Sequence, residues 1–229
     1  MIPSILHYQN REEQALDLSE IVSRELQAAL DTNGRATLAV PGGTTPGAFL
    51  TALSLARLDW SKVAVMLTDE RFVPESSDRS NTRLLRETLL QNDAAAAKLL
   101  PFYAEADEPE DVMATLTAGI AEHLPPDVCV LGMGEDMHTA SLFPGADRLS
   151  EALSPNAPPL LPMRAPGAPE PRLTLSAPVL RASGSLHILI TGSGKQEALE
   201  KAMQDGPEEE APIRAILNAP SAVTVHYAD

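Results

Sequence analysis

The segment VCVLGMGEDMHTASLFPG, residues 128–145, runs from an apolar stretch into a polar loop that contains Asp136 and His138. The ordinary pKa of histidine lies near neutrality, so an imidazole can accept a proton from an attacking water molecule. An aspartate that orients the imidazole makes it a better base. A spacing of two residues does not guarantee a hydrogen bond from Asp136, and Asp69 on another loop is the alternative partner. We therefore predict that His138 is a general base, oriented by Asp136 or by Asp69.

The same segment imitates a nucleotide-binding loop without completing it. GMGEDM has the first two glycines of the dinucleotide fingerprint G-x-G-x-x-G, but Met137 stands at the last position. The acidic residue expected at the end of the following strand is also missing, so the sequence argues against a dinucleotide site. The remaining histidines are predicted to be structural; they are His7, His123, His187 and His226.

A second polar loop, VPGGTTPG at residues 40–47, combines two glycines with two hydroxyl side chains. Glycine lets the backbone approach a ligand closely, and free N–H groups at the start of a helix attract anions. A tight turn with an ordinary helix cap would have the same sequence. We predict substrate binding by four residues of this loop: Gly42, Gly43, Thr44 and Thr45.

A third loop places three charged residues, Asp69, Glu70 and Arg71, directly after an apolar stretch. Arg71 could receive an anionic or polarised oxygen with its forked N–H donors. The alternative is an Asp–Arg ion pair that only fixes the loop. We assign Asp69 and Arg71 to the candidate catalytic residues.

Two further basic residues are candidates for binding a phosphate group. ITGSGKQEAL, residues 190–199, lacks the first glycine and the final hydroxyl residue of a Walker A loop, which argues against ATP chemistry. Lys195 at a turn between a strand and a helix still suits a single phosphate as a point charge. Arg172 precedes a short apolar segment, and simple surface exposure is the alternative for it.

The overall charge limits the classes of ligand. The 17 basic and 32 acidic residues give a formal net charge of −15, which would repel nucleic acid and anionic membranes. A phosphorylated substrate would be repelled too, so its binding site must be locally positive. No apolar stretch approaches the roughly 20 residues that span a bilayer, and the N-terminus does not resemble a signal peptide. We predict a cytoplasmic protein.

Other common catalytic arrangements are missing from the sequence. The only cysteine, Cys129, lies in an apolar stretch, so no disulfide can form within the chain. The histidines are scattered without metal-ligand spacing, and no G-x-S-x-G elbow of a serine hydrolase occurs.

Alternating strands and helices position these loops. The pattern predicts one domain over residues 1–229: an open, mostly parallel, twisted α/β sheet with helices on both faces, Rossmann-like and doubly wound. Its four polar loops would meet beyond the carboxyl ends of the strands. Predicted strands are residues 36–41, 63–70, 127–133, 185–192 and 222–227. Predicted helices are residues 11–31, 44–56, 80–90 and 109–123, with a threonine cap and Pro46 in the first turn of the second, and Ser80 or Asn81 capping the third.

Two segments depart from the alternation of strands and helices. Residues 154–172 are rich in Pro and Ala, and they either pass over the sheet edge as a loop or form a pair of edge strands. Residues 205–212 are acidic and are predicted to be a solvated connector.

Taken in order, these segments resemble the 6-phosphogluconolactonase family over nearly the whole chain. The resemblance lies in PGGTTP, LTDERFVP, SNTRLLRETLL, VLGMGEDMHTASLFPG, RLTLSAPVL and GSGKQEAL. It implies hydrolysis of 6-phospho-D-glucono-1,5-lactone to 6-phosphogluconate in the oxidative pentose phosphate pathway, with neither a metal nor an organic cofactor. It also implies that His138 acts on water, and that Lys195 and Arg172 meet the substrate phosphate.

The related glucosamine-6-phosphate deaminases and isomerases are the alternative enzyme class. Those enzymes typically read MDEY where this chain has TDER, and they have a glutamate at the position of Phe143. A ring-opening reaction would lose a carboxylate at that position. The sequence therefore favours the lactonase.

Met137 is the main departure from the lactonase pattern, which usually has glycine at this position. If the backbone there adopts a positive φ, a methionine costs about 1–2 kcal/mol and could turn His138. A sugar-phosphate-binding protein without catalysis is therefore a further alternative. Small sugar phosphates are the expected partners, and a monomer or weak homo-oligomer is the expected state.

Overall fold

The computed structural model of the chain describes residues 3–229, which hold ten strands. In chain order these are β1 (Ser4–His7), β2 (Ala36–Val40), β3 (Val63–Leu67), β4 (Asp69–Arg71), β5 (Lys98–Leu99), β6 (Val128–Gly132), β7 (Leu160–Met163), β8 (Arg172–Leu175), β9 (Ser185–Thr191) and β10 (Val223–Ala228). Seven of them form the main sheet in the order β1-β10-β9-β6-β2-β3-β5, and all its neighbouring pairs are parallel.

The central strands are apolar along their whole length because the sheet is covered on both faces. All five residues of β2 and of β3 are buried. Successive side chains of a strand point to opposite faces, so a fully buried strand needs protein on both. The predicted open α/β fold with a parallel sheet is confirmed. The short edge strands β1 and β5 were not predicted.

Eight α-helices connect or cover the strands within the described residues. They are α1 (Arg11–Asn33), α2 (Gly47–Leu53), α3 (Asn81–Thr88), α4 (Met113–Ile120), α5 (Leu149–Leu153), α6 (Ala177–Arg181), α7 (Ser193–Ala202) and α8 (Arg214–Leu217). The first turn of α1 is capped by Asn10, and Gly34 ends this helix with φ 71°. Ser80 accepts a hydrogen bond from the backbone N–H of Arg83, which confirms its predicted role as the cap of α3.

The predicted threonine cap of α2 is wrong. Pro46 is the N-cap residue, with φ −76° and ψ −9°, and no side chain caps the helix. The proline lies before the helix rather than in its first turn. Because no hydroxyl is used as a cap, Thr44 and Thr45 remain on the pocket wall.

The single strand predicted for residues 63–70 is also wrong. The chain leaves the main sheet after Thr68, whose N–H donates to the carbonyl of Val40 and whose carbonyl accepts from Leu175. Residues 69–71 then pair with β8 in a separate antiparallel sheet of order β4-β8-β7. Residues 154–172 thus contain β7, an edge strand, and the first residue of β8, which is the central strand of this sheet, so the expected strand pairing is present but not as two edge strands. The charged side chains of Asp69 and Arg71 would be costly to bury inside the covered main sheet. Because the chain leaves that sheet, they line the cavity instead.

The main sheet has a topological switch between β2 and β6. From β2 the chain goes to β3 on one side, whereas β6 and β9 lie on the other. In open α/β sheets ligands bind beyond the carboxyl ends of the strands at this switch. The polar loops after β2 and β6 both begin at this edge.

Candidate active site

A cavity of about 270 Å³ lies at the switch point, beyond the carboxyl ends of β2 and β6. Nine of the ten residues predicted for the site line it: Gly42, Gly43, Thr44, Thr45, Asp69, Arg71, His138, Arg172 and Lys195. The tenth, Asp136, contacts His138 directly. The structure therefore brings together loops that are up to 153 positions apart along the chain, from residue 42 to residue 195 (195 − 42).

Asp136 is the orienting partner of His138. The Nδ1 atom of His138 lies 2.5 Å from Oδ1 of Asp136, and the backbone N–H of His138 donates to the same oxygen. The hydrogen bond from His138 lowers the pKa of Asp136 below its usual value. A charged carboxylate accepts a hydrogen bond from Nδ1–H, so the neutral ring has its free electron pair on Nε2.

The loop that holds this pair is closed by its own backbone. The N–H of Gly134 donates to the carbonyl of His138, and the N–H of Met137 donates to the carbonyl of Gly134. A side chain at Gly134 would collide with the ring of His138 and the carboxylate of Asp136, so glycine is required there. The sequence does not reveal this requirement.

Met137 adopts φ 65° and its side chain is buried. Met137 therefore has the positive φ at which a residue other than glycine is strained. His138 nevertheless keeps its hydrogen bond to Asp136. The carbonyl of Met137 also accepts from the N–H of Ile213, which ties the loop to the segment before α8.

Asp69 is bound by residues other than His138 and Arg71. Its Oδ2 atom accepts a hydrogen bond of 2.5 Å from Ser141, and the same oxygen lies 3.8 Å from the guanidinium of Arg172. The alternatives of an Asp69–His138 pair and of an Asp69–Arg71 bridge are both wrong. Ser141 is 72 residues away along the chain, and no signal in the sequence connects the two.

Glu70 is fully buried and anchors the start of α3 instead of facing the cavity. Its carboxylate accepts from the backbone N–H groups of Asn81 and Thr82 and from the hydroxyls of Thr82 and Ser80. Burial raises the pKa of Glu70, against these hydrogen bonds that lower it. The carboxylate also accepts from the backbone N–H of Arg71, which ties Arg71 to the start of α3.

Arg71 lines the cavity, and the end of its side chain reaches the neighbouring loop at Arg79. One terminal N–H group donates to the carbonyl of Arg79 at 2.7 Å. Its Nε atom is buried without a hydrogen-bond partner among the described residues. Arg71 itself lines the cavity, so the rest of its guanidinium lies where a ligand would bind.

Arg172 and Lys195 give the cavity local positive charge, although the chain as a whole is acidic. Both are half-buried, and loss of contact with water lowers the pKa of each below its ordinary value. The guanidinium of Arg172 lies over the ring of Phe143, with Cζ 5.3 Å from the ring centre. Surface exposure, the alternative for Arg172, is wrong because the side chain is only 13% exposed.

The loop of residues 42–45 presents backbone donors to the cavity. None of its four N–H groups donates to another group in residues 3–229. A side chain at Gly42 would collide with the carboxamide of Asn81, whose Nδ2 atom donates to the carbonyl of Asp69. Asn81 also lines the cavity, although the sequence marked it only as a possible helix cap.

Neither a metal centre nor a membrane span is found in the described part of the chain. No group of three or more His, Cys, Asp or Glu side chains there could hold a metal ion. None of its helices is long and apolar enough to cross a membrane.

A histidine–aspartate pair and two half-buried cations at the switch point of a parallel sheet define an α/β protein with a polar cavity that carries local positive charge. The profile described as glucosamine-6-phosphate isomerases/6-phosphogluconolactonase matches residues 9–226. The chain belongs to this family.

Three relatives illustrate the similarity. The 6-phosphogluconolactonase of Rhizobium meliloti is 47% identical over 225 residues, 96% of this chain and 97% of that protein. The 6-phosphogluconolactonase of Pseudomonas aeruginosa is 43% identical over 222 residues, 94% of this chain and 90% of that protein. The crystal structure of a 6-phosphogluconolactonase from Shewanella baltica has a TM-score of 0.96 at 32% identity, covering 99% of this chain and 98% of that chain.

Proposed function

We propose that this protein hydrolyses 6-phospho-D-glucono-1,5-lactone to 6-phosphogluconate, with His138 as the general base. The observation that carries the proposal is the contact of His138 Nδ1 with Asp136, in a cavity that also contains Arg172 and Lys195. The relatives named 6-phosphogluconolactonase, which share up to 47% of their residues with this chain, support the choice of substrate.

The hydrolysis begins with water. Asp136 holds the proton of His138 on Nδ1, so Nε2 can take a proton from a water molecule that attacks C1 of the lactone. The bond from C1 to the ring oxygen then breaks, and the imidazolium returns its proton to that oxygen. The imidazole is neutral at the end, as it was at the start. Asp136 stabilises the imidazolium in between.

The attack creates an oxyanion at C1 that needs preorganised donors. The free N–H groups of Gly43 and Thr44 and the guanidinium of Arg71 are the proposed donors. One such donor contributes about 3 kcal/mol to the stability of the transition state. Asp69 supports them indirectly through Ser141 and Arg172.

The substrate phosphate meets Arg172 and Lys195, with Thr44 and Thr45 as further hydroxyl donors. A phosphate monoester carries about −1.5 to −2 charges near neutral pH. Two partly desolvated cations give it a strong local attraction despite the formal charge of −15 on the whole chain.

The two alternative functions are disfavoured by particular residues. Deamination of glucosamine 6-phosphate would use a glutamate where this chain has Phe143, which packs against His138 with ring centres 4.2 Å apart. A site disabled by Met137 would require His138 to be turned away from Asp136, but their contact is intact.

The proposal also covers the domain, the cellular compartment and the oligomeric state. We assign the activity to one domain over residues 1–229, in the cytoplasm, as a monomer or weak homo-oligomer acting on a small sugar phosphate. One continuous cluster of buried side chains, from Ala15 to Tyr227, supports the single domain. Sedimentation velocity of the purified protein at several concentrations tests the oligomeric state.

The decisive experiment follows decay of the lactone, generated in the same solution, against its spontaneous hydrolysis. We expect the wild-type protein to accelerate the decay and His138→Ala to lose most of the acceleration. Wild-type decay at the background rate would disprove the lactonase, and equal acceleration by both proteins would disprove only the role of His138. Release of ammonia from glucosamine 6-phosphate would identify a deaminase instead.

A further inference from the structure

Phe143 touches both of the charged groups on which the proposed reaction depends. Its ring centre lies 4.2 Å from that of His138, with 34° between the two planes. The guanidinium carbon of Arg172 lies 5.3 Å from the same ring centre. Phe143 itself is half-buried and does not line the cavity, so it supports these two groups from behind.

His138 needs a second contact to be held in one orientation. Its ring has one side-chain hydrogen bond, from Nδ1 to Asp136, and the Asp136 side chain is 54% exposed. One hydrogen bond to an exposed carboxylate restrains the χ1 and χ2 torsions of His138 only weakly. Packing against the ring of Phe143 removes the remaining freedom and keeps Nε2 directed at one place.

Arg172 depends on the aromatic ring still more. Its guanidinium makes no hydrogen bond to any residue between positions 3 and 229, and its Nε atom is buried without a partner. The nearest carboxylate oxygen, on Asp69, lies 3.8 Å away, beyond hydrogen-bond length. The face of an aromatic ring attracts a guanidinium, and this contact fixes the side chain while leaving its donors free for a ligand.

A tight turn brings Phe143 under His138. The N–H of Leu142 donates to the carbonyl of Thr139, and the hydroxyl of Thr139 donates to the carbonyl of Gly132 at the end of β6. Ser141 is bound to Asp69 in the same turn. These bonds tie the turn before Phe143 to β6 of the main sheet and to β4 of the small sheet.

We propose that Phe143 is a positioning residue, which aligns the base His138 and the phosphate-binding Arg172 against a single ring. This inference rests on the proposed function, because it concerns the same reaction. The negative face of the ring also favours the imidazolium that forms on His138 when water is deprotonated. One aromatic side chain thereby couples the two ends of the substrate.

Nuclear magnetic resonance of the histidine rings tests the contact without substrate. The ring current of Phe143 should displace the ring-proton signals of His138, which are identified by their loss in His138→Ala. We expect this displacement to disappear in Phe143→Leu and to remain in Phe143→Tyr. Signals of His138 that are the same in Phe143→Leu and wild type would overturn the proposal.

Kinetics test the positioning itself. Phe143→Leu should lower kcat for the lactone about tenfold to a hundredfold, since small misplacements of a catalytic group cost that much. Its KM should rise roughly threefold, because the aromatic contact of Arg172 is lost. Phe143→Tyr keeps the ring and should keep both constants within about threefold of wild type.

Tyr103→Leu is the matched control. Tyr103 is a half-buried aromatic residue that pairs with Phe72, with ring centres 5.1 Å apart, outside the cavity. It should lose a similar amount of stability, read from thermal unfolding, with kcat and KM unchanged. A Phe143→Leu protein with wild-type kcat and KM would overturn the positioning role.

Failure of the proposed function would be separately visible. If the wild-type protein does not hydrolyse the lactone, the proposed activity is wrong, but the His138 signals still report the aromatic contact. Binding of 6-phosphogluconate, measured by calorimetry, then replaces kinetics. Weaker binding by Phe143→Leu than by Phe143→Tyr supports the role of Phe143 toward Arg172, and equal binding contradicts it.

Discussion

His138 and His187 each lie within hydrogen-bond distance of a carboxylate, yet the two imidazoles have opposite surroundings. Nδ1 of His138 is 2.5 Å from Asp136, and Nε2 of His187 is 2.8 Å from Glu25. The side chain of His138 is 30% exposed at the cavity, whereas that of His187 is only 4% exposed. A histidine–carboxylate pair alone therefore does not distinguish a base from a structural residue.

The difference lies in the second ring nitrogen. Nδ1 of His187 bonds to His226, whose other nitrogen bonds to the hydroxyl of Tyr8, and Tyr8 donates to Asp17. Both nitrogens of both buried rings are thus occupied by protein partners. Nε2 of His138 has no such partner in residues 3–229 and faces the cavity. A free nitrogen at a ligand site is what makes an oriented histidine available for proton transfer.

The largest effect that we predict comes from removing His138 and His187 separately. Loss of His138 should lower activity, and loss of His187 should lower stability. His138→Ala should lower kcat/KM about 10²–10⁴-fold, the usual contribution of a general base, with less than about 1 kcal/mol lost in unfolding free energy. His187→Ala should lose about 2–4 kcal/mol of unfolding free energy, because the buried His226 and the partly exposed Glu25 lose their partner, with kcat/KM within about twofold of wild type.

Urea unfolding and initial rates on the same two proteins provide the comparison. A folded His187→Ala protein without activity would contradict the assignment of His187 to structure. A large loss of stability in His138→Ala would contradict the assignment of His138 to chemistry.

The buried histidines should also make stability depend on pH. Burial, and then the nearby His187, lower the pKa of His226 from 6.5 to about 3 in the folded protein. Between these two values the unfolded chain binds a proton on His226 that the folded protein does not bind. The unfolding free energy should therefore fall as pH decreases from about 6.5 to 3, by at most about 1.4 kcal/mol per pH unit.

Urea unfolding at a series of pH values measures this slope. His226→Gln removes the titrating group and should flatten the slope over the same range. His7→Gln is the matched control, because His7 is exposed on β1 and its removal should leave the slope unchanged. A wild-type protein whose stability is constant between pH 6.5 and 3 would contradict the prediction.

Neutralising the carboxylates of Asp136 and Glu25 separately should have a smaller effect on kcat and should distinguish their roles. Asp136→Asn removes the charge that stabilises the imidazolium of His138, and kcat should fall about tenfold. Glu25→Gln should leave kcat unchanged, since Glu25 bonds to His187 and does not line the cavity. Equal rates for wild type and Asp136→Asn would mean that the contact of 2.5 Å does not matter for catalysis.

The smallest predicted effect concerns Met137, which lies next to the catalytic histidine and has φ 65°. Both Met137→Ala and Met137→Gly lose the buried side chain, but only glycine avoids the cost of a left-handed backbone. Met137→Gly should therefore be more stable than Met137→Ala by about 1 kcal/mol. The two should have similar kcat, because Asp136 and Phe143 hold His138. Thermal and urea unfolding of both variants decide the order of stability.

Much of the fold could be predicted because apolar strands in a covered parallel sheet leave a clear signal. The strand predicted for residues 185–192 is β9, and that for 36–41 is β2, each within one residue. The break after Thr68 could not be predicted, because the residues on either side of it read as one continuous strand. Pairing of residues 69–71 with β8, about 100 positions later, decides that break.

The candidate site was predictable in its members but not in its contacts. Polar loops after strands of a parallel sheet must meet at one edge, which is why nine of ten candidate residues line one cavity. Their partners depend on how each loop turns above that edge. The sequence allows Asp69 to pair with His138 or with Arg71, but Asp69 binds Ser141 instead.

The sequence by itself determined which residues gather at the switch point, because the order of strands and loops along the chain dictates where strands of a parallel sheet end. It also determined the need for local positive charge, which follows from a net charge of −15. Only the tertiary structure decided that Asp136 orients His138 and that Phe143 lies against both His138 and Arg172. Contacts of a few ångströms between loops depend on backbone turns and close packing, and no spacing along the chain encodes them.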